Sequence, residues 1–255
     1  MRNLFSVEGK VALVTGGSRG IGEMIARGYV ENGAKVYVSS RKAEVCDRVA
    51  EELSQYGTCI SLPFDLSNMA GITGLAAALA ERESKLDILV NNAGATWGAP
   101  IDEYPEDGWD KTVDLNVKSI FFLTQKLLPQ LRAAATHEEP SRVINIASVN
   151  GIEPPALETY AYSTSKAGCI MLTRHLAKRL APEHILVNAI APGPFQSHMM
   201  AATLARAGDA IAKANPRGRI GTPEDIAGVA IFLASRASAY TTGTVVPCDG
   251  GSAEF

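Results

Sequence analysis

The chain is poor in the side chains that build metal and disulfide proteins. Its 255 residues contain four cysteines (Cys46, Cys59, Cys169 and Cys248) and four histidines. No two cysteines form a C-x-x-C pair and histidines are scarce, so no zinc site is expected. Four scattered cysteines read as small reduced hydrophobes of a cytoplasmic protein. Long apolar runs are missing too: none approaches the roughly 18 residues of a membrane span. The opening residues, Met1 to Ser6, lead straight into a strand-like segment with no apolar core, so no signal peptide is expected. Positive charge is not in excess. A net charge of −3 and a pI of about 5.9 argue against nucleic acid as the main partner. A hydrophobic fraction of 46% against 20% charged residues excludes a disordered chain and leaves a soluble globular one.

What is present is an alternation. Short apolar runs at 11–14, 35–38, 59–62, 86–90, 142–147, 185–190 and 244–247 have the length and flanks of strands. Between them, helical periodicity runs over 21–31, 43–56, 69–83, 108–132, 162–180 and 223–234, the last with Pro223 suiting its first turn. Apolar strands separated by amphipathic helices imply a parallel sheet covered on both faces. The expected fold class is α/β: a single doubly wound Rossmann fold over residues 1–255, with a seven-stranded parallel sheet and helices on both faces. Its ligand should lie at the carboxyl ends of the strands. Two stretches are atypical, a polar loop over 134–141 and an Ala-, Met- and Arg-rich segment over 195–221 that reads as a substrate loop or lid.

The turn after the first strand is Thr15-Gly16-Gly17-Ser18-Arg19-Gly20-Ile21-Gly22. Small residues there let the backbone approach a pyrophosphate, and the helix that follows supplies N–H donors and a positive partial charge. The second strand ends in Ser40-Arg41, where an acid would suit a free ribose 2′-hydroxyl and a cation suits a 2′-phosphate. Two cations, Arg19 and Arg41, and no acid favour NADP over NAD, although Arg19 could instead stack over the adenine. Asp65, after the third strand, could accept from the adenine amino group or cap the helix that begins near Ser67. Asn91-Asn92-Ala93-Gly94 follows the fourth strand as good turn residues or as the floor of a cofactor site. Ser148 follows the fifth. Tyr162 and Lys166 are four apart and share a helix face. A free tyrosine titrates near pH 10, and a neighbouring ammonium favours the phenolate. Asn116 lies inside a helical stretch, where asparagine is mildly unfavourable and so suggests a role.

Taken in order, these elements resemble the short-chain dehydrogenase/reductase family in its compact single-domain form. The matching positions are Thr15-Gly16-x-x-x-Gly20-x-Gly22, Asp65, Asn91 to Gly94, Asn116, Ser148, Tyr162-x-x-x-Lys166, Pro192-Gly193 and Asp249-Gly250-Gly251, which span essentially the whole chain. The resemblance implies that Tyr162 protonates a carbonyl oxygen as hydride arrives from the nicotinamide. Lys166 assists it and holds the nicotinamide ribose, Ser148 bonds the substrate oxygen, and Asn116 holds a water that links Lys166 to solvent. It also implies a seat for NADP(H) formed by Gly16, Ser18, Arg19, Gly20, Ile21, Gly22, Ser40, Arg41, Asp65, Leu66, Asn92, Ala93, Gly94, Tyr162, Lys166, Pro192, Gly193, Phe195 and Ser197, with no metal.

Within the family the Gly-rich turn, the Ser40-Arg41 ending and the polar insertion at 136–141 are most similar to bacterial NADPH-dependent 3-oxoacyl reductases of the subgroup linked to rhamnolipid precursors. The expected substrate is therefore a 3-oxoacyl thioester or similar hydrophobic ketone. The alternatives are a sugar, steroid or other secondary-alcohol dehydrogenase running oxidatively, or a regulator that only binds nucleotide. Retention of Asn116, Ser148, Tyr162 and Lys166 argues against the last. The family resemblance also implies a homo-oligomer, a tetramer first and a dimer second, built on the helices over 108–132 and 162–180. Two departures stand out. Ser197 occupies the place of the usual threonine. The stretch between Ser148 and Tyr162 holds thirteen residues, one more than expected, and includes Glu153-Pro154-Pro155. The apolar residues Met199, Met200, Leu204 and Ile211 suit a hydrophobic substrate, or simply pack a lid helix against the body.

Overall fold

The computed structural model describes residues 3–197 and 199–253. Met1 and Arg2 of the opening segment, and His198 of the expected lid, lie outside them. Seven parallel strands form one sheet in the order β3-β2-β1-β4-β5-β6-β7. They are β1 Val11–Thr15, β2 Lys35–Ser39, β3 Cys59–Ser61, β4 Ile88–Asn91, β5 Ser141–Ile146, β6 Ile185–Pro192 and β7 Val245–Cys248. The order reverses beside β1, between β1 and β4, and that switch point opens the crevice in which ligands of such folds bind. Among the described residues no helix is long and apolar enough to cross a membrane.

Helices cover both faces. Against one lie α1 (Gly20–Glu31), α2 (Ala43–Leu53) and α8 (Pro223–Ala234), which bury Ile25, Tyr29, Val49, Leu53, Ile226 and Leu233 over β1 and β2. Against the other lie α3 (Met69–Ala80), α5 (Ser119–Ala134) and α6 (Tyr160–Leu180), contributing Leu75, Leu79, Leu123, Leu127 and Leu180 over Leu13, Leu89 and Val143. Burial on both faces explains why the central strands β1 and β4 read as continuous apolar runs rather than alternating ones, while β7 at the edge is only half-buried.

The helix expected over 108–132 is in fact two helices. α4 (Glu106–Val113) starts behind Pro105, and a π turn over Asp114–Lys118 separates it from α5. There Ser119 N–H reaches back five residues to Asp114 O, and Ser119 Oγ donates to Leu115 O at 2.6 Å. The backbone keeps helical dihedrals on both sides of the join and no Gly or Pro marks it, which is why the sequence reads as one helix there. α2 stops at Leu53 rather than Tyr56 because Ser54 Oγ donates to Ala50 O and Cys59 O, at 2.7 and 2.9 Å. The 195–221 stretch contains a further helix, α7 (Ala201–Ala214), kinked at Ala207 and with no fully buried side chain among the described ones.

Candidate active site

Construction starts at the turn between β1 and α1. Thr15 Oγ1 accepts from the N–H groups of Asn92 and Ala93 at 3.0 and 3.1 Å and donates to Val90 O at 3.2 Å. Asn92 Nδ2 donates to Thr15 O and Gly16 O at 2.9 and 3.2 Å. The loop after β4 is thus bonded to the Gly-rich turn. Gly16 has φ +63°, and a Cβ there would lie 2.7 Å from Asn92 Nδ2, so only glycine fits. α1 opens on Arg19 in an extended conformation with no side chain capping it. Its first N–H groups are thus left without a capping side chain, the arrangement in which a helix N-terminus can take an anion, with Ser18, Gly20, Ile21 and Gly22 beside it.

Gly17 N–H donates to Ser39 O at 3.2 Å, holding the end of β2 against this turn. Half-buried Ser40 and exposed Arg41 follow, and α2 starts on Lys42, also without a capping side chain. Neither the Arg19 nor the Arg41 guanidinium has a hydrogen-bond or ion-pair partner among the described residues. Asp65 does not cap α3. Its Oδ1 accepts from Ser67 N–H at 3.0 Å, while the capping side chain is Asn68, which accepts from Gly71 N–H at 2.9 Å. Leu66 beside it is buried.

The second cluster lies at the carboxyl ends of β4 and β5. Ser148 Oγ accepts from Asn150 N–H at 3.1 Å, which leaves its own proton available for donation. Lys166 is 5% exposed; its Nζ donates to Ile146 O at 2.7 Å and sits 5.6 Å from the centre of the Tyr162 ring. Asn116, in the π turn, is 1% exposed. Its Oδ1 accepts from Ala95 N–H at 2.8 Å, and its Nδ2 donates to Ala95 O and Ser165 Oγ, both at 2.9 Å. Gly94 fills the space between: a Cβ on it would stand 3.1 Å from Asn116 Oδ1 and 3.8 Å from Lys166 Nζ. Behind this cluster, Asn91 and Asn145 face each other across β4 and β5. Asn91 Nδ2 donates to Asn145 Oδ1 at 2.9 Å and to Thr124 Oγ1 at 3.2 Å, and Asn145 Nδ2 donates to Thr173 Oγ1 at 2.9 Å. All four are buried, and a satisfied buried network of this kind fixes strands and helices to one register. Motif reading passed over Asn145, Thr173 and Ser165. The signal that drew attention to Asn116, a small polar residue inside an element, was there for each.

The third part is the 195–221 segment. Phe195 and Gly221 form an isolated parallel bridge, with Gly221 N–H donating to Pro194 O at 2.9 Å and Phe195 buried. Ser197 approaches the Gly-rich turn, its Cβ 3.1 Å from where a Cβ on Gly20 would be. Gly193 packs on Asp249, whose carbonyl accepts from Asn215 Nδ2 at 2.7 Å. Met200, Leu204 and Ile211 are half-buried and Met199 exposed. Beside the mouth, Gly98, Ala99, Pro100, Leu157, Glu158 and Thr159 line an apolar groove of about 280 Å³. A larger hollow of about 550 Å³, around Asn3 to Ser6, lies at the amino end of the strands, away from all of these groups.

Comparison with known proteins gives consistent results. The family model described as enoyl-(acyl carrier protein) reductase matches residues 16–253. The rhamnolipids biosynthesis 3-oxoacyl-(acyl-carrier-protein) reductase of Pseudomonas aeruginosa is 52% identical over 253 residues, covering 98% of this chain and 99% of that one. The solved active-site complex of Pseudomonas aeruginosa RhlG with NADP superposes with a TM-score of 0.95 at 52% identity, over 99% of both chains. The gluconate 5-dehydrogenase of Gluconobacter oxydans is more distant, 34% identical over 98% of this chain and 96% of its own.

Proposed function

The chain belongs to the short-chain dehydrogenase/reductase family, and from that premise we propose that it is an NADPH-dependent ketone reductase acting on 3-oxoacyl thioesters or similar hydrophobic ketones. The observation that carries the reading is the buried Lys166 ammonium, tied to Ile146 O at 2.7 Å and set 5.6 Å from the Tyr162 ring beside the Gly94 gap. The residues present fit NADP(H). Gly16 leaves no Cβ in the turn, α1 and α2 open without capping side chains, and the guanidiniums of Arg19, before α1, and Arg41, after β2, have no partner among the described residues. The Gly-rich turn would hold the pyrophosphate, Ser40 and Arg41 the 2′-phosphate, Asp65 and Leu66 the adenine, Asn92 to Gly94 the central floor, and Pro192, Gly193, Phe195 and Ser197 the carboxamide side. When bound, the cofactor supplies the hydride that reduces the carbonyl carbon.

The chain's own residues do the rest. Ser148 donates its free proton to the substrate oxygen. The Tyr162 hydroxyl transfers its proton to that oxygen as charge develops, as a general acid. Lys166, with one N–H held by Ile146 O, has others for Tyr162 and the nicotinamide ribose. Asn116 cannot donate further from its side chain, since both Nδ2 protons are taken. Any water it holds for the proton relay therefore binds at an oxygen.

A 3-oxoacyl thioester fits better than a sugar acid because Ile101, Leu157 and Met199, at 67%, 60% and 44% exposure, put apolar side chains on the loops that follow β4, β5 and β6. We place the reaction in the cytoplasm, in keeping with four free cysteines. We read the chain as one domain with a lid over about 195–221, assembled as a homotetramer, or a dimer, through α5 and α6. NADPH consumption with 3-oxoacyl thioesters of increasing chain length, set against NADP reduction with gluconate and other sugar acids, tests the substrate class. Turnover of the thioesters is expected. Turnover of the sugar acids alone would replace the reading with an oxidative dehydrogenase.

A further inference from the structure

One residue between Tyr162 and Lys166 makes contacts that the family motif gives it no reason to make. Ser165 is 2% exposed. Its Oγ donates to Tyr162 O at 2.7 Å and accepts from Asn116 Nδ2 at 2.9 Å, so its donor and an acceptor site are both engaged. A serine inside a helix commonly donates to a carbonyl of the preceding turn. The second bond is the unusual one, because it ties α6 to the π turn.

Followed outward, the bonds form a continuous chain. Asn116 is clasped to Ala95 N and O, two residues before which Ala93 N–H donates to Thr15 Oγ1. Asn92 next to it donates to Thr15 O and Gly16 O. The chain therefore runs from the Gly-rich turn, through the loop bearing Gly94, to Asn116, and ends at the backbone of Tyr162. Ser165 is its last link.

Resting on the reading of Tyr162 as the acid, we propose that Ser165 is a positioning residue: its hydroxyl sets the turn of α6 that carries Tyr162 against the loop that seats the cofactor. Removing the hydroxyl takes an acceptor from Asn116 Nδ2 and leaves a buried N–H unpaired. The amide then loses one of the bonds that fixes its plane, and both Ala95 and Tyr162 lose their shared reference. The helix as a whole keeps its other ties to β5, through Lys166 to Ile146 O and through Thr173 to Asn145. The fold and the cofactor seat are thus expected to survive while the acid is misplaced.

The test compares Ser165→Ala, Ser165→Thr, Asn116→Ala and the Ser165→Ala/Asn116→Ala pair, using acetoacetyl-CoA as the ketone. Rates are normalised to NADPH-binding sites counted by fluorescence titration. For Ser165→Ala we expect kcat to fall by about tenfold to a hundredfold, the range that a small misplacement produces, with the NADPH Kd within about twofold of the wild type. Ser165→Thr, which keeps the hydroxyl, should stay within about threefold of the wild-type kcat. If Ser165 acts through Asn116, adding Ser165→Ala to Asn116→Ala should lower kcat by less than about another twofold. A Ser165→Ala enzyme with kcat within twofold of wild type would overturn the proposal. So would multiplicative losses in the pair, a fall in NADPH affinity that matches the fall in kcat, equal losses in the Thr and Ala variants, or an Ala variant that binds no NADPH. Failure of the broader reading shows separately, as a Tyr162→Phe enzyme that keeps its rate.

Discussion

Cofactor choice can be worked out from the end of β2. NADP differs from NAD by a phosphate, and the groups nearest its expected place are Ser40, Arg41, Arg19 and the uncapped start of α2. A charge-assisted hydrogen bond contributes about 1.5–3 kcal/mol. Both guanidiniums are exposed, so screening puts each toward the lower end of that range. At about 1.4 kcal/mol per factor of ten, the lower end gives Arg41 alone about a tenfold preference for NADPH, and the upper end about a hundredfold. The N-terminus of α2, whose N–H groups no side chain occupies, adds about 0.3–1 kcal/mol in the same direction. Ser40→Asp with Arg41→Ala removes the cation, places a carboxylate against the phosphate and gives the bare ribose a partner. The gain for NADH is one charged hydrogen bond, about tenfold. The combined swing in the ratio of kcat/KM values is therefore about a hundred- to a thousandfold. The assay is kcat/KM for NADPH and NADH on one ketone in both proteins, with kcat on the preferred cofactor as control, since Tyr162 is untouched. Similar efficiencies with NADH and NADPH in the unaltered protein would refute the reasoning, as would a double variant whose preference does not move.

Tyr162→Phe should cost about 10²–10⁴ in kcat while NADPH titrates normally; a variant retaining more than a tenth of the rate assigns the proton to another group. Asp225 accepts from Thr222 N–H at 2.8 Å and from Arg219 at 2.5 and 3.0 Å. The Arg219 guanidinium, with the Thr222 bonds second, holds its carboxyl far below the usual range. A depressed folded pKa contributes stability above the unfolded value near 3.9, and that contribution is lost as pH falls through the folded value. Asp225→Asn should therefore destabilise by about 1 kcal/mol at neutral pH, and the gap should close as urea melts are repeated below about pH 4; a gap that does not change with pH contradicts this. The lid should gain protection from proteolysis near α7 when NADPH is added, and equal cleavage with and without cofactor argues against closure. Sedimentation should show an assembly, because Phe121 and Met171 leave apolar surface on α5 and α6; a 27.0 kDa particle at micromolar concentration would be incompatible with it.

The sheet was legible because its central strands are buried on both sides and so read as short apolar runs, as in Val11 to Val14 and Ile88 to Val90. α8 was readable to the residue, with Thr222 and Asp225 forming its capping box and Pro223 its first turn. The position of the Gly-rich turn was readable too, since Gly16 and Gly20 follow β1 and open α1. Long-range pairing was not. Nothing local says that Asn116 Nδ2 meets Ser165 Oγ 49 residues away, or that Asn91 faces Asn145. The π turn escaped because the backbone stays helical through it and no Gly, Pro or capping side chain marks the join. Asp65 shows the opposite limit: its capping role was a sound local inference, but Asn68 is better placed for the same N–H groups.

The bridge between Phe195 and Gly221 clamps the two ends of the 195–221 segment to each other where it leaves the body. Near its ends the segment is tied down at Ser197 beside Gly20, at Asn215 Nδ2 on Asp249 O and at Arg219 on Asp225, so the part that can vary in length is the stretch around α7. Closing a loop of twice the length costs only about 0.6 kcal/mol more. A segment closed at its base can be exchanged at its tip while the strands, the π turn and α6 keep their places. Transplanting residues 199–214 from a gluconate-oxidising relative, with Ser197, Asn215 and Arg219 kept, is thus a test of whether substrate choice can be moved without touching Asn116, Ser148, Tyr162 or Lys166.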